Sequence, residues 1–205
     1  MSRRKVSNPL ALAVLACLYE RPMHPYEIAS TLRERHKDES IKLNYGSLYS
    51  VVESLKGHNL ITEQQTGRQG NRPERTVYEV TDAGRLELID WMSELLCRPA
   101  KEFTRFEAGL SLLPVLPPND VRSLLEERCR RLEVEIEQYR NLRKLVSSER
   151  VPRLFWIESE YRVALREAEL NFTRGLIADL ANGSLEGMER WLEFHRSREP
   201  DSRSG

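Results

Sequence analysis

The sequence predicts a mainly α-helical protein, with an N-terminal winged helix-turn-helix carrying a two-stranded wing and a C-terminal antiparallel helical region suited to pairing two subunits. Three observations predict it. Between Asn8 and Gly57, apolar residues recur at helical spacing in three short segments separated by turn chemistry. The period then falls to two on either side of a stretch rich in Gly, Asn and Pro, as in a hairpin. Beyond Pro99 the chain becomes long charged helices whose apolar residues recur at steps of three and four, the spacing of a coiled-coil seam.

The first helix is expected from Asn8 to Glu20, with Asn8 as N-cap, Pro9 at the first helical position and Pro22 just past its end. Its run from Leu10 to Tyr19 is apolar on nearly every side, which predicts burial against both its own domain and a partner subunit. A rival explanation is a secretory signal, because Arg3, Arg4 and Lys5 precede the run and Val14-Leu15-Ala16-Cys17 is close to a lipoprotein cleavage box. The cap and the stop favour an ordinary helix, and the run is too short to span a bilayer, which needs about 20 apolar residues. No membrane partner and a cytoplasmic location are expected.

A second helix begins at His24-Pro25, with Glu27 completing the cap and Ile28, Ala29 and Leu32 on one face. In the third, capped by Asn44, Leu48, Val51, Val52 and Leu55 form one stripe, and Gly57 is expected as a left-handed C-cap. Strands are predicted over Leu60–Gln65 and Arg75–Val80, joined by an exposed turn from Thr66 to Pro73. Thr81 and Asp82 start a fourth helix with the stripe Leu88, Ile89, Met92, Leu95 and Leu96. A short helix around Phe103–Leu113 follows, and Asn119 caps a long helix to Ser148 with the seam Val121, Leu125, Leu132, Ile136, Tyr139, Leu142 and Val146. The next, Arg153 to Asn182, repeats the device with Ile157, Tyr161, Ala164, Leu165, Ala168 and Phe172; a last one presents Leu185, Met188, Trp191, Leu192 and His195. The expected domains are 1–97 (winged helix), 98–198 (helical dimerisation, with any effector site) and 199–205 (disordered tail).

Charge alone decides nothing, since 32 basic residues balance 32 acidic ones. Cys17, Cys97 and Cys129 are far apart, and His24, His36, His58 and His195 lack metal-ligand spacing, so no zinc site, disulfide framework or catalytic constellation is indicated and no cofactor is expected. Local pattern says more. Opposite the apolar stripe of the third helix lie Gly46, Ser50 and Glu53, flanked by Ser47, Tyr49 and Ser54: a small, hydroxyl-rich face of the kind a major groove admits. Asn44, Tyr45, Gly46, Ser47, Tyr49 and Ser50 are the candidate contacts to double-stranded DNA there, with Arg68, Arg72 and Arg75 meeting phosphate from the wing. Taken singly, a serine-rich helix face or a basic loop is ordinary solvated surface; their order along the chain is what points to DNA. The alternative is a winged-helix scaffold with a coiled-coil dimer, which would tolerate acids on that face; Glu53 is its one acid, and a cytosine amino group is a partner open to it.

The stretch Asn44-Tyr45-Gly46-Ser47-Leu48-Tyr49, followed by Leu55, Asn59-Leu60-Ile61 and Tyr78-Glu79-Val80-Thr81-Asp82-Ala83-Gly84, resembles the signature of the PadR family of transcriptional regulators. Met23-His24-Pro25-Tyr26-Glu27-Ile28 is similar to that family's second helix, with Pro25 in place of glycine; Asn59 and Val80 also stand where glycine and leucine are common. The similarity covers about residues 8–96, and Phe103 with Leu113-Pro114-Val115-Leu116-Pro117 resembles the larger members more loosely. It implies a homodimer held by C-terminal helices, with the first helix exchanging contacts, and a pseudo-palindromic operator with half-sites about one helical turn or a multiple apart. It further implies repression relieved by a small aromatic or hydrophobic effector, for which Trp91, Phe155, Trp156 and Phe172, together with Trp191, are candidate lining residues, although aromatics at helical spacing are more often plain core.

Overall fold

The computed structural model describes residues 8–64, 76–148 and 151–197. The chain divides into two compact units, Met1–Lys101 and Glu102–Gly205.

In the first unit the helices are α1 (Pro9–Glu20), α2 (Pro25–Glu34), α3 (Tyr45–Gly57) and α4 (Asp82–Cys97), with strands β1 (Ile61–Gln64) and β2 (Val77–Val80) between α3 and α4. Their starts follow the sequence chemistry closely. The Asn8 side chain accepts the Leu10 amide at 2.9 Å. His24 Nδ1 accepts the Tyr26 amide while Glu27 takes the His24 amide at 2.8 Å, completing the reciprocal cap. The strands pair antiparallel with Ile61 opposite Val80, and Met23 adds a bridge to Tyr78, two backbone bonds of 3.0 Å that anchor β2 to the start of α2.

The core of this unit joins Leu10, Val14, Leu15 and Leu18 of α1 to Ile28 and Leu32 of α2, to Leu48, Val51, Val52 and Leu55 of α3, and to Ile61, Tyr78, Leu88 and Trp91. The single chain therefore buries most of the apolar α1, against α2, α3, α4 and β2, without the partner subunit that its all-round apolarity suggested. Burial pushes the Cys17 thiol up to about 11, which makes it inert packing. No helix among the described residues is long and apolar enough to cross a membrane.

Three expectations are corrected here. Gly57 stays inside α3, and the left-handed residue that ends the turn is Asn59, at φ 57°. Leu60 and Thr76, expected in the strands, lie just outside them, and the expected strand ends Gln65 and Arg75 lie outside the described residues. And the stripe expected on α4 is mostly outside: Leu88 and Trp91 are buried, but Leu86, Ile89, Met92, Leu95 and Leu96 are exposed.

The turn from α3 into β1 is locked onto α4. Thr81 donates its hydroxyl to the Asn59 carbonyl at 2.7 Å and accepts the Gly84 amide at 3.1 Å, so one side chain both caps α4 and holds the turn. Gly84 sits against the Leu60 backbone so closely that an added Cβ would lie 2.0 Å from the Leu60 carbonyl oxygen. That contact is the physical reason for glycine in Thr-Asp-Ala-Gly.

The second unit contains α5 (Arg105–Ser111), α6 (Pro118–Ser148), α7 (Ile157–Asn182) and α8 (Met188–Arg196). The long helix α6 starts at Pro118, with the Pro117 carbonyl accepting the Val121 amide, so Asn119 lies inside the first turn rather than capping it. It packs antiparallel on α7 through Cys129, Leu132 and Ile136 against Leu170, and through Val121 and Leu125 toward Leu180 and Trp191. Cys129 fills the step the expected seam had skipped. Ion pairs flank the seam, Glu133 with Arg174 at 2.7 Å, Glu135 with Arg166 at 3.0 Å and Arg140 with Glu167 at 2.7 Å; at this exposure they set register more than stability. Trp191 donates to the Leu116 carbonyl at 2.9 Å, tying α8 to the proline-rich turn before α6.

The face of α7 that meets α6 is not the one the spacing suggested. Ile157, Tyr161, Ala164, Leu165, Ala168 and Phe172 point outward, with Tyr161 67% and Phe172 56% exposed.

Gly84→Ala drives a methyl group into backbone, which cannot move aside as a side chain tip would. The expected cost is at least the roughly 1–3 kcal/mol of an overpacked core, read as a lower urea midpoint for the first unit; an unchanged midpoint would show that the α3–β1 turn and α4 are not in this contact.

Candidate nucleic-acid interface

Four apolar residues of α3, at i, i+3, i+4 and i+7, are buried: Leu48, Val51, Val52 and Leu55. With that stripe facing inward, the opposite side must face out. Asn44, Tyr45, Gly46, Tyr49 and Ser50 are exposed and Ser47 is half-buried, so the six expected contact residues share the first two turns of one helix. Tyr45 is 42% and Tyr49 48% exposed, high values for aromatic side chains with no core role.

The Asn44 side chain accepts the Ser47 amide at 2.7 Å, which leaves the amides of Tyr45 and Gly46 as donors at the positive end of the helix. Ser50 donates its hydroxyl to the Gly46 carbonyl at 3.0 Å and keeps its lone pairs outward. Arg68, Arg72 and Arg75, and the basic residues Arg3, Arg4 and Lys5, lie outside the described residues.

Two features of this surface escaped the sequence reading. First, α2 contributes to it. The Tyr26 ring stacks on Tyr45, with centroids 6.3 Å apart and planes 13° from parallel. Arg33 donates to the Tyr45 hydroxyl at 2.5 Å and lies over its ring. Second, the acid on the face already has company. Glu53 lies against the Tyr78 hydroxyl of β2, and Lys56 pairs with Glu63 of β1. Burial, then the negative charge of Glu53 and of Glu63, push the Tyr78 phenol above its ordinary value, so it stays a protonated donor. Glu53 therefore faces the base of the wing, not open solvent alone. Neither feature has a periodic signal, because each joins residues on different elements.

The aromatic candidates for an effector site are scattered. Trp91 belongs to the core of the first unit. In the second unit Trp156 borders an open cavity of about 650 Å³ with Tyr139, Arg143 and Glu160. Phe172 borders a different one of about 430 Å³ with Phe106 and Arg128, and the exposed Phe155 lines neither. Trp191 is buried against Val121, Leu125 and Leu180. Among the described residues no group of three or more His, Cys, Asp or Glu is arranged to hold a metal ion.

Residues 14–90, from α1 through most of α4, match the transcriptional regulator PadR-like family. The match covers the winged-helix part of the chain. The family that this segment matches is one of transcriptional regulators. No curated protein sequence matches it. Among solved structures it is similar to Bacillus subtilis PadR in complex with operator DNA, at 18% identity and TM-score 0.64, over 84% of this chain and 99% of that one. The same Bacillus subtilis protein in complex with p-coumaric acid is similar at 16% identity and TM-score 0.65, over 84% and 98%. The virulence activator AphA of Vibrio cholerae is similar at 18% identity and TM-score 0.61, again over 84% and 98%. At these identities the likeness is one of fold, and it extends past the PadR-like winged helix into the long C-terminal helices.

A paired substitution tests the two faces of α3. Leu48→Ala opens a cavity in a fully buried site and is expected to destabilise by about 2–5 kcal/mol, whereas Tyr49→Ala should stay within about 0.5 kcal/mol. Thermal unfolding followed by circular dichroism reads both; equal losses would place Tyr49 in the core.

Proposed function

We propose that this chain is a homodimeric transcriptional repressor that binds a pseudo-palindromic operator through α3 and the wing and leaves DNA when a small aromatic or hydrophobic effector binds. The single observation that carries the DNA reading is the outer face of α3: within a PadR-like winged helix, its first two turns offer exposed donors and hydroxyls opposite a fully buried stripe.

A major groove accepts such a helix because small residues allow close approach, while hydroxyls and the Asn44 amide reach base edges or phosphates. Affinity comes chiefly from the wing, where Arg68, Arg72 and Arg75 neutralise phosphates and release counterions. A relative of the same fold has been crystallised with operator DNA.

Dimerisation is supported by the outward stripe of α7. An exposed apolar row of Ile157, Tyr161, Leu165 and Phe172 on a helix already packed along its other side calls for a second layer. A two-fold dimer then presents two copies of α3 to one duplex, which is why a symmetric site is expected. The effector belongs to the same proposal. It rests on the relative bound to p-coumaric acid and on the cavity beside Trp156, whose size suits a small ring.

Footprinting on the DNA upstream of the chain's own coding sequence should show two protected half-sites with centres about one helical turn or a multiple apart. Arg68 and Arg72 changed together to alanine should weaken that binding and lower the slope of log affinity against log salt by about two. Absence of any protection at low salt would contradict the DNA reading, and an unchanged slope would remove the wing from it.

A further inference from the structure

We propose that Tyr26 and Arg33 of α2 form, with Tyr45, a phosphate clamp that grips the backbone of duplex DNA beside the first turn of α3. The proposal rests on the DNA reading above and adds to it two residues on a different helix.

The three side chains are already assembled. Tyr26, 58% exposed, stacks on Tyr45. The Arg33 guanidinium carbon lies 4.5 Å from the centroid of the Tyr45 ring, and its Nη1 donates to the Tyr45 hydroxyl at 2.5 Å. Little of this arrangement serves the core, because all three side chains are exposed.

The chemistry it offers is one-sided. The Tyr45 hydroxyl oxygen accepts from Arg33, so its own hydrogen is directed elsewhere as a donor. Arg33 has five N–H donors and spends one on Tyr45. The amides of Tyr45 and Gly46 add two donors next to them, since Asn44 occupies only that of Ser47. A surface of donors with a fixed positive charge matches a phosphate oxygen and mismatches a cation or a carbonyl-poor protein surface.

Charge balance separates Arg33 from its neighbours. Arg35 is held by both oxygens of Glu20, at 2.5 and 2.8 Å, and Arg21 lies 3.9 Å from Glu27. Arg33 meets no carboxylate among the described residues; its partner is the Tyr45 side chain, a neutral group that aims the guanidinium without cancelling its charge. Holding an arginine on an aromatic face also restricts the rotamers it would otherwise lose on binding. First helices of helix-turn-helix domains cross the backbone, which is where this one carries its uncompensated cation.

The test measures affinity of the full chain for its footprinted duplex and for an unrelated duplex of equal length, across a salt series. Arg33→Gln should weaken both about tenfold, lower the salt slope by about one and leave their ratio unchanged, because a phosphate contact holds no sequence information. Arg33→Lys should keep the slope and lose part of the affinity. Tyr26→Ala should weaken both duplexes as well, while Tyr26→Phe, which keeps the stack, should bind as the parent does. All four should retain the parent's thermal midpoint. Parent binding with Arg33→Gln unchanged in affinity and slope overturns the clamp and leaves the DNA reading standing. A loss confined to the footprinted duplex also overturns it, since that is base readout. A parent that binds neither duplex overturns both.

Discussion

The structure of the first unit turns on the burial of four side chains of α3, Leu48, Val51, Val52 and Leu55. Removing them from water is worth about 1.5–3 kcal/mol apiece on transfer scales, far more than any polar contact on the outer face. The rotation of α3 about its axis is therefore decided by the core, and the direction of Tyr45, Tyr49 and Ser50 follows. The surrounding elements defend that rotation from both ends: Asn44 fixes the first turn, and the left-handed Asn59, held through Thr81 and the close approach of Gly84 to Leu60, fixes the last. A rigid scaffold for a surface helix is what recognition by shape requires.

The link from α3 to the wing is equally specific. Tyr78 of β2 has its backbone bonded to Met23, its ring in the core and its hydroxyl against Glu53. Lys56 and Glu63 make a second tie between α3 and β1. Strands so short could not hold an orientation by themselves. Side chains of α3 and the backbone of Met23 supply what the two-stranded ladder lacks.

Much of this was legible in the sequence where the signal is local. Caps at Asn8, His24, Asn44 and Thr81 all sit where side-chain chemistry places them, and the stripe of α3 followed from its spacing. What failed was the assignment of apolar residues to a neighbour. Periodicity shows that Ile157, Tyr161, Leu165 and Phe172 share a face of α7, but not that α6 packs on the other side, where Val163, Leu170, Thr173 and Ile177 make a second, competing row. The same holds for α4, where Ile89, Met92 and Leu96 read as core and lie on the surface. In both helices the chain has more apolar surface than its own core consumes. Such a surplus is indistinguishable, in sequence, from the core itself. The Tyr26–Tyr45–Arg33 cluster was hidden for a different reason: it depends on the crossing of α2 and α3, a tertiary fact.

The central claim, that the core commits one side of α3 and leaves the other for DNA, can be read side chain by side chain through hydroxyl-radical oxidation and mass spectrometry of the chain with and without its duplex. Tyr45 and Tyr49 should be oxidised readily in the free protein and protected in the complex, with the buried Tyr78 slow in both. Tyrosines of α3 that remain fully reactive while the duplex is bound would contradict the account.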